Sequence, residues 1–234
     1  MRRIYFYLFS IALLFATHAQ SQVWLGAVNS DWKNAANWAP ANHLTIPANA
    51  THWPVLDDNT TVNSLVMEPG SRLYLNGHKL EITTNGDQQL DIQGATIEGG
   101  GILEIKGEGT RIFDGNTING NLDINIEGSA LFKEATLAPN VYNGNITFNI
   151  NGTADFFTST EFASTFNGNM VVLRTVPGHT TLFVKGFTAL DGDLVVSRRH
   201  VAAHLFPALV VALGMGFKVA VMAELLANAG GIGG

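Results

Sequence analysis

The sequence predicts an all-β chain, a right-handed parallel β-helix (solenoid) with an N-terminal cap and a C-terminal apolar helix, and three observations carry that expectation. First, a short phrase returns every 24 residues: Asn119-Gly120-Asn121-Leu122, Asn143-Gly144-Asn145-Ile146, Asn167-Gly168-Asn169-Met170 and Asp191-Gly192-Asp193-Leu194. A fixed period of this length marks a stacked repeat. Second, apolar columns travel with the phrase, Ile118, Tyr142, Phe166 and Leu190 just before it and Ile124, Phe148, Val172 and Val196 inside the strand that follows. Third, 25 glycines with charged residues at only 14% suit closely spaced strands and turns better than amphipathic helices. Asn or Asp on either side of Gly reads as a tight turn, because these residues tolerate left-handed backbone angles, and the next apolar residue opens a strand. A looser copy, Gly99-Gly100-Gly101-Ile102, lies 20 residues before the first full one.

Residues 1–19 read as a secretory signal peptide. Arg2 and Arg3 precede an apolar run over residues 4–16, and Thr17-His18-Ala19 supplies small residues for cleavage after Ala19. The run is shorter than the ~20 residues of a bilayer span; the alternative, an uncleaved anchor, also places the body outside the cytoplasm. Residues 20–60 hold all four tryptophans, Trp24, Trp32, Trp38 and Trp53. Clustered indoles can close an open solenoid end, burying apolar area while their N–H groups reach turn carbonyls. Their alternative role is a sugar-stacking platform, which makes the same four residues the candidate ligand-binding set.

Over residues 61–197 apolar residues alternate, as in Leu73-Tyr74-Leu75, Leu80-Glu81-Ile82, Leu90-Asp91-Ile92 and Leu103-Glu104-Ile105, between turn signals such as Asn76-Gly77 and Asn85-Gly86. A 24-residue coil fits three short strands, each paired with its equivalent about 4.8 Å away in the next coil. Like side chains then stack. Asn119, Asn143 and Asn167 are expected to form one amide ladder and Asn121, Asn145 and Asn169 another, each amide donating to the next carbonyl. In the last copy both columns become carboxylates, Asp191 and Asp193, which have no proton to donate. They fit solvated turn residues on a terminal coil, with a Ca²⁺ site as the alternative.

Residues 198–234 change character: 201–229 are apolar, rich in Ala and Leu, with Lys218 and Glu224 as the only charges. Ala, Leu and Met favour a helix, with Pro207 near its start and Gly230-Gly231 at its end. A helix closing the solenoid end, a membrane anchor and a foreign segment joined to the chain all fit this composition.

A formal net charge of −6 argues against nucleic acid as a partner, because polyanion binding needs a Lys/Arg footprint. There is no cysteine, hence no disulfide or thiolate metal site. No phosphate loop, zinc-ligand spacing or nucleophile elbow occurs, so no cofactor is expected. An enzyme would draw on Asp114, Asp123, Asp155, Asp191 and Asp193, with Arg111, Lys133, Arg174, His179 and Lys185 as partners. On the 24-residue register Asp123 stacks over Thr147 and Val171. Only Asp155 and His179 fall in one column on neighbouring coils. His43, His52 and His78 are isolated and read as structural.

Trp24-Leu25-Gly26, Asp31-Trp32 and Asn37-Trp38, followed by Ile46-Pro47, Pro54-Val55-Leu56 and Leu73-Tyr74-Leu75-Asn76-Gly77, resemble the opening of bacterial secreted surface proteins with autotransporter-like, right-handed β-helix repeats. The likeness covers residues 23–197. It implies export to the cell surface, a structural or adhesive role and no catalytic residues, with extracellular polysaccharide or a host or cell surface as partner, and it implies a piece of a longer polypeptide. Leu205-Phe206-Pro207-Ala208, Gly216-Phe217-Lys218-Val219, Ala223-Glu224 and Gly231-Ile232-Gly233 resemble the inner-membrane permease of ABC importers for nitrate, sulfonate or taurine. A membrane partner follows only if that segment is a genuine anchor. The alternative function is a carbohydrate-active β-helix, a polysaccharide lyase or hydrolase, or a carbohydrate-binding module.

Overall fold

The computed structural model describes residues 22–40, 43–84, 90–109 and 111–198. The expected signal peptide and the apolar segment beyond residue 198 lie outside the described residues. Within them the chain is all-β, with one 3-10 turn at Ala35–Asn37.

Each coil visits three faces in turn. In the early coils Leu65–Met67, Leu90–Gln93 and Arg111–Asp114 lie on the first face, and Arg72–Tyr74, Thr96–Glu98 and Thr117–Asn119 on the second. Lys79–Thr84, Gly101–Gly107 and Leu122–Ile126 lie on the third. Later coils replace the first face with the short strands Phe132–Lys133, Phe156–Phe157 and Thr180–Thr181, a separate three-stranded parallel sheet. The third face is one seven-stranded sheet from Thr60–Val62 to Leu194–Arg198, parallel throughout. The fold is therefore a parallel β-solenoid of about seven coils. Among the described residues antiparallel pairing is confined to the beginning, where Gln22–Trp24 pairs with Trp38–Pro40.

Register confirms the 24-residue period from the fourth of these strands onward: Ile124 lies opposite Phe148, Phe148 opposite Val172 and Val172 opposite Val196. The earlier steps are 20, 23 and 21 residues, from Thr60 to Leu80, Leu80 to Leu103 and Leu103 to Ile124. This corrects one alignment. Gly101, rather than Ile102, lies opposite Leu122, because Leu103 and Ile105 must share the inward face with Ile124 and Ile126, and the Gly99-Gly100-Gly101 turn absorbs the extra residue. A one-residue slip would send every apolar side chain of the strand outward.

The inward columns form one continuous core. Leu80, Leu103, Ile124, Phe148 and Val172 have at most 1% of their surface exposed, and each such side chain contributes about 1.5–3 kcal/mol of burial free energy. Aromatic rings extend the stacking: Tyr142 lies flat on Phe166 with centroids 4.8 Å apart and planes 7° apart, and Phe132 on Phe156 at 5.7 Å.

The turn glycines divide: Gly120 and the Asn76-Gly77 pair have the expected positive φ, whereas the later copies have a different reason. Gly144, Gly168 and Gly192 do not have positive φ, and the neighbouring Asn residues are not left-handed either. A methyl on Gly144 would sit 2.3 Å from the Gly120 carbonyl oxygen of the coil before it, and one on Gly168 would sit 2.5 Å from that of Gly144. Coil-on-coil approach demands glycine there. Gly107, Gly128 and Gly152 form a second such stack, with a clearance of 2.3 Å from Gly128 to Gly107 and 2.1 Å from Gly152 to Gly128.

Candidate functional site

Three of the four tryptophans meet at the beginning of the solenoid. Trp38 stands edge-on to Trp24 and Trp32 with centroids 4.8 and 4.9 Å apart, and Trp24 and Trp32 are near-parallel at 6.4 Å. Two of their N–H groups are committed: Trp24 Nε1 donates to the His52 carbonyl at 2.6 Å and Trp38 Nε1 to the Trp32 carbonyl at 2.7 Å. The local chain is shaped by Asn37, fully buried, whose Oδ1 accepts from Val28 N–H and whose Nδ2 donates to Asn29 and the Asp31 carbonyl. Trp53 stands apart from the indole cluster, half-buried against the core.

Trp24 is fully buried and offers no free face, whereas Trp32 and the half-buried Trp38 border a cavity of about 540 Å³. Its other walls are Gln22, Lys33, Leu44 and the segment 59–64. Strand Thr60–Val62 is the terminal strand of the seven-stranded sheet, and among the described residues it has a neighbour on one side only. The cavity lies at that strand. Sequence reasoning singled out the indoles but not this wall, because an edge is a property of the sheet and not of any residue type.

The ladders are present, in two chemistries. Asn143 Nδ2 donates to Asn119 Oδ1 at 2.7 Å and Asn167 Nδ2 to Asn143 Oδ1 at 2.8 Å, the expected amide-to-amide chain. Its lower end continues from Asn119 Nδ2 to Glu98 at 3.1 Å. The second column departs from expectation. Asn121 Oδ1 accepts the backbone N–H of Asn145, Asn145 Oδ1 that of Asn169, and Asn169 Oδ1 that of Asp193, at 2.8–2.9 Å. These side chains point along the axis at the next coil's backbone, so an acceptor suffices. A third amide step, Asn149 Nδ2 to Asn125 Oδ1 at 2.8 Å, lies on the third face and was not anticipated. Asp191 and Asp193 are exposed, and among the described residues no group of three or more acidic or His side chains gathers as metal ligands would.

Several of the residues considered for catalysis are held by the scaffold, while Asp123, Asp191 and Asp193 are exposed. Asp155 Oδ1 accepts the backbone N–H of His179 at 3.1 Å, so the one column-matched pair is joined through the main chain and not through the imidazole. Arg111 and Arg174 are buried and donate to backbone carbonyls, Arg111 to Gly107, Glu127 and Ala130 and Arg174 to Ala154 and Val176. Burial lowers the Arg111 guanidinium to about 10. Lys133 lies over the Phe157 ring at 5.7 Å, and Lys185 pairs with Glu161 at 3.6 Å on the surface. Asp114 is buried, accepts from Thr136 N–H at 2.6 Å, and is raised by burial above the usual carboxylate range.

A buried carboxylate absent from the sequence-based candidates sits beside it. Glu134 is fully buried and accepts from Asn140 Nδ2, from the backbone N–H of Ser159 and from Ser164 Oγ, the last at 2.9 Å. Burial pushes it up to about 7. The hydroxyl of Tyr142 is buried next to Glu134 and Asn140 without a hydrogen-bond partner of good geometry. On the outer surface Glu81 and Glu104 lie directly opposite each other, bracketed by Lys79 and Lys106 at 2.6–3.2 Å. Lys79 and Lys106 hold Glu81 below its usual range, and they do the same for Glu104 against the opposing effect of its burial.

Comparison with protein-family models, with curated proteins and with solved structures gives no match for this chain.

Proposed function

We propose that this chain is an exported, non-catalytic module that serves a structural or adhesive role at the cell surface. Its solenoid winds right-handed, the indole cluster caps its first coil, and residues 1–19 direct export. The observation that carries the reading is how the polar side chains are spent: amide ladders run from coil to coil, Asp114, Asp155, Arg111 and Arg174 are bonded to backbone, Lys185 pairs with Glu161, and the exposed Asp123, Asp191 and Asp193 belong to no group of three or more acidic or His side chains among the described residues. A side chain already committed to the scaffold holds a rod together and is poorly placed to move a proton. Polysaccharide turnover needs acids converging on a solvent-facing groove. Asp114 and Glu134 face the interior instead, while Asp123 stands alone over Thr147.

The test is expression of the tagged full chain in a Gram-negative host, followed by protease treatment of intact cells. Surface exposure that disappears when residues 1–19 are removed supports the reading. Retention in the cytoplasm of the intact chain contradicts it.

A further inference from the structure

The cavity beside the indoles has two unlike walls. The apolar one is presented chiefly by the half-buried Trp38, with Trp32 and Leu44, each more than nine-tenths buried, adding little surface. The other is strand Thr60–Val62, a sheet edge with no strand beyond it among the described residues, flanked by the neutral amides of Gln22, Asn59 and Asn63. Asn59 Oδ1 accepts the Lys79 N–H at 2.9 Å, and among the described residues its Nδ2 has no hydrogen-bond partner. Among the described residues the one charged side chain lining the cavity, Lys33, is held by Asp57 at 3.3 Å and Asp58 at 2.6 Å.

These walls select by chemistry. Two carboxylates against one ammonium leave nothing to attract an anion. A row of peptide groups and amides disfavours an alkyl chain, which would leave them unpaired. A pyranose ring has an apolar C–H face for an indole wall and a rim of uncharged hydroxyls that both donate and accept, and the volume of about 540 Å³ falls in the range of small-ligand sites. An extended peptide could also pair with the edge, but the three residues of Thr60–Val62 offer a short ladder, and a peptide serves as the comparison in the test.

We propose that the cavity between Trp32, Trp38 and the edge strand Thr60–Val62 binds a neutral glycan, with a sugar ring against the indole wall. This rests on the surface-module reading and names the partner of that module. The test is calorimetric titration of the full chain with neutral hexasaccharides of glucose, mannose, galactose and N-acetylglucosamine, with a neutral Thr-rich peptide as comparison. At least one glycan is expected to bind saturably and to shift the indole fluorescence. Ala35→Arg, which places a long side chain from an exposed lining residue into the cavity, is expected to weaken binding about tenfold or more without moving the unfolding midpoint. Trp38→Ala should weaken it as well. No binding by any glycan at millimolar concentration, undiminished binding by Ala35→Arg, or binding of the peptide alone would overturn the proposal. A chain that reaches the cell surface but binds no glycan refutes this inference only, whereas one that binds glycan but is not exported refutes the surface reading.

Discussion

Glu134 shows how much a single residue can set in this scaffold. It accepts three hydrogen bonds that tie its own coil to the next, through Asn140 on one side and Ser159 and Ser164 on the other. Those bonds favour the carboxylate, yet burial outweighs them and the group titrates at about 7 rather than 4.5. The folded state therefore binds the proton more tightly than the unfolded chain does. Stability from this group is fully present below pH 4.5 and is lost as pH rises through about 7, by about 3 kcal/mol in all. Asp114, also raised by burial, acts in the same direction. The surface pair Glu81 and Glu104 acts oppositely, adding stability above the ordinary Glu range and losing it as pH falls below that range. Denaturant unfolding at pH 5 and pH 8 should find the protein less stable at pH 8. Glu134→Gln should flatten that difference; an unchanged slope in the variant would remove Glu134 as its source.

At the scale of the element, the two Asn columns look alike in sequence and differ in what they ask of the side chain. The column through Asn119, Asn143 and Asn167 needs a donor and an acceptor on each residue, whereas that through Asn121, Asn145 and Asn169 needs only an acceptor. The change to Asp at the last copy fits this division. Asp193 donates its backbone N–H to Asn169 Oδ1, while the Asp191 carboxylate has no proton to give Asn167, so the amide ladder stops there. Asn143→Asp should accordingly cost about 0.5–1.5 kcal/mol by placing acceptor against acceptor. Asn145→Asp should stay within about 0.5 kcal/mol. Thermal unfolding of the two variants decides it, and equal losses would mean that the columns are equivalent after all. The period and the stacking were legible because each coil places like residue on like residue. The direction of the second column was not legible, since whether an Asn side chain meets its neighbour's amide or its backbone depends on which way the turn carries it.

For the whole molecule, the later coils could be read residue by residue, and the earlier ones only in outline. From Leu122 onward one period governs the third face without a break, and on the second face it slips only at Ser164, which lies opposite Phe187. Before it, steps of 20, 23 and 21 residues along the third face blur the pattern, because turns such as Gly99-Gly100-Gly101 take up residues without moving the strands. The indole cluster was visible as composition, but the cavity beside it arises from where the seven-stranded sheet ends. Glu134 escaped notice because a buried acid inside a turn has no periodic signature. The central claim is that the coils lie directly over one another, and the outward column Thr61, Glu81, Glu104, Asn125, Asn149, Leu173 and Ser197 measures it. The chain has no cysteine of its own, so paired spin labels can be placed at Thr61 with Asn149, Leu173 or Ser197 without interference. Dipolar distances should rise by about 4.8 Å per coil, with backbone separations near ~19, ~24 and ~29 Å for the three pairs. Distances that failed to increase in step with coil number would contradict the stack.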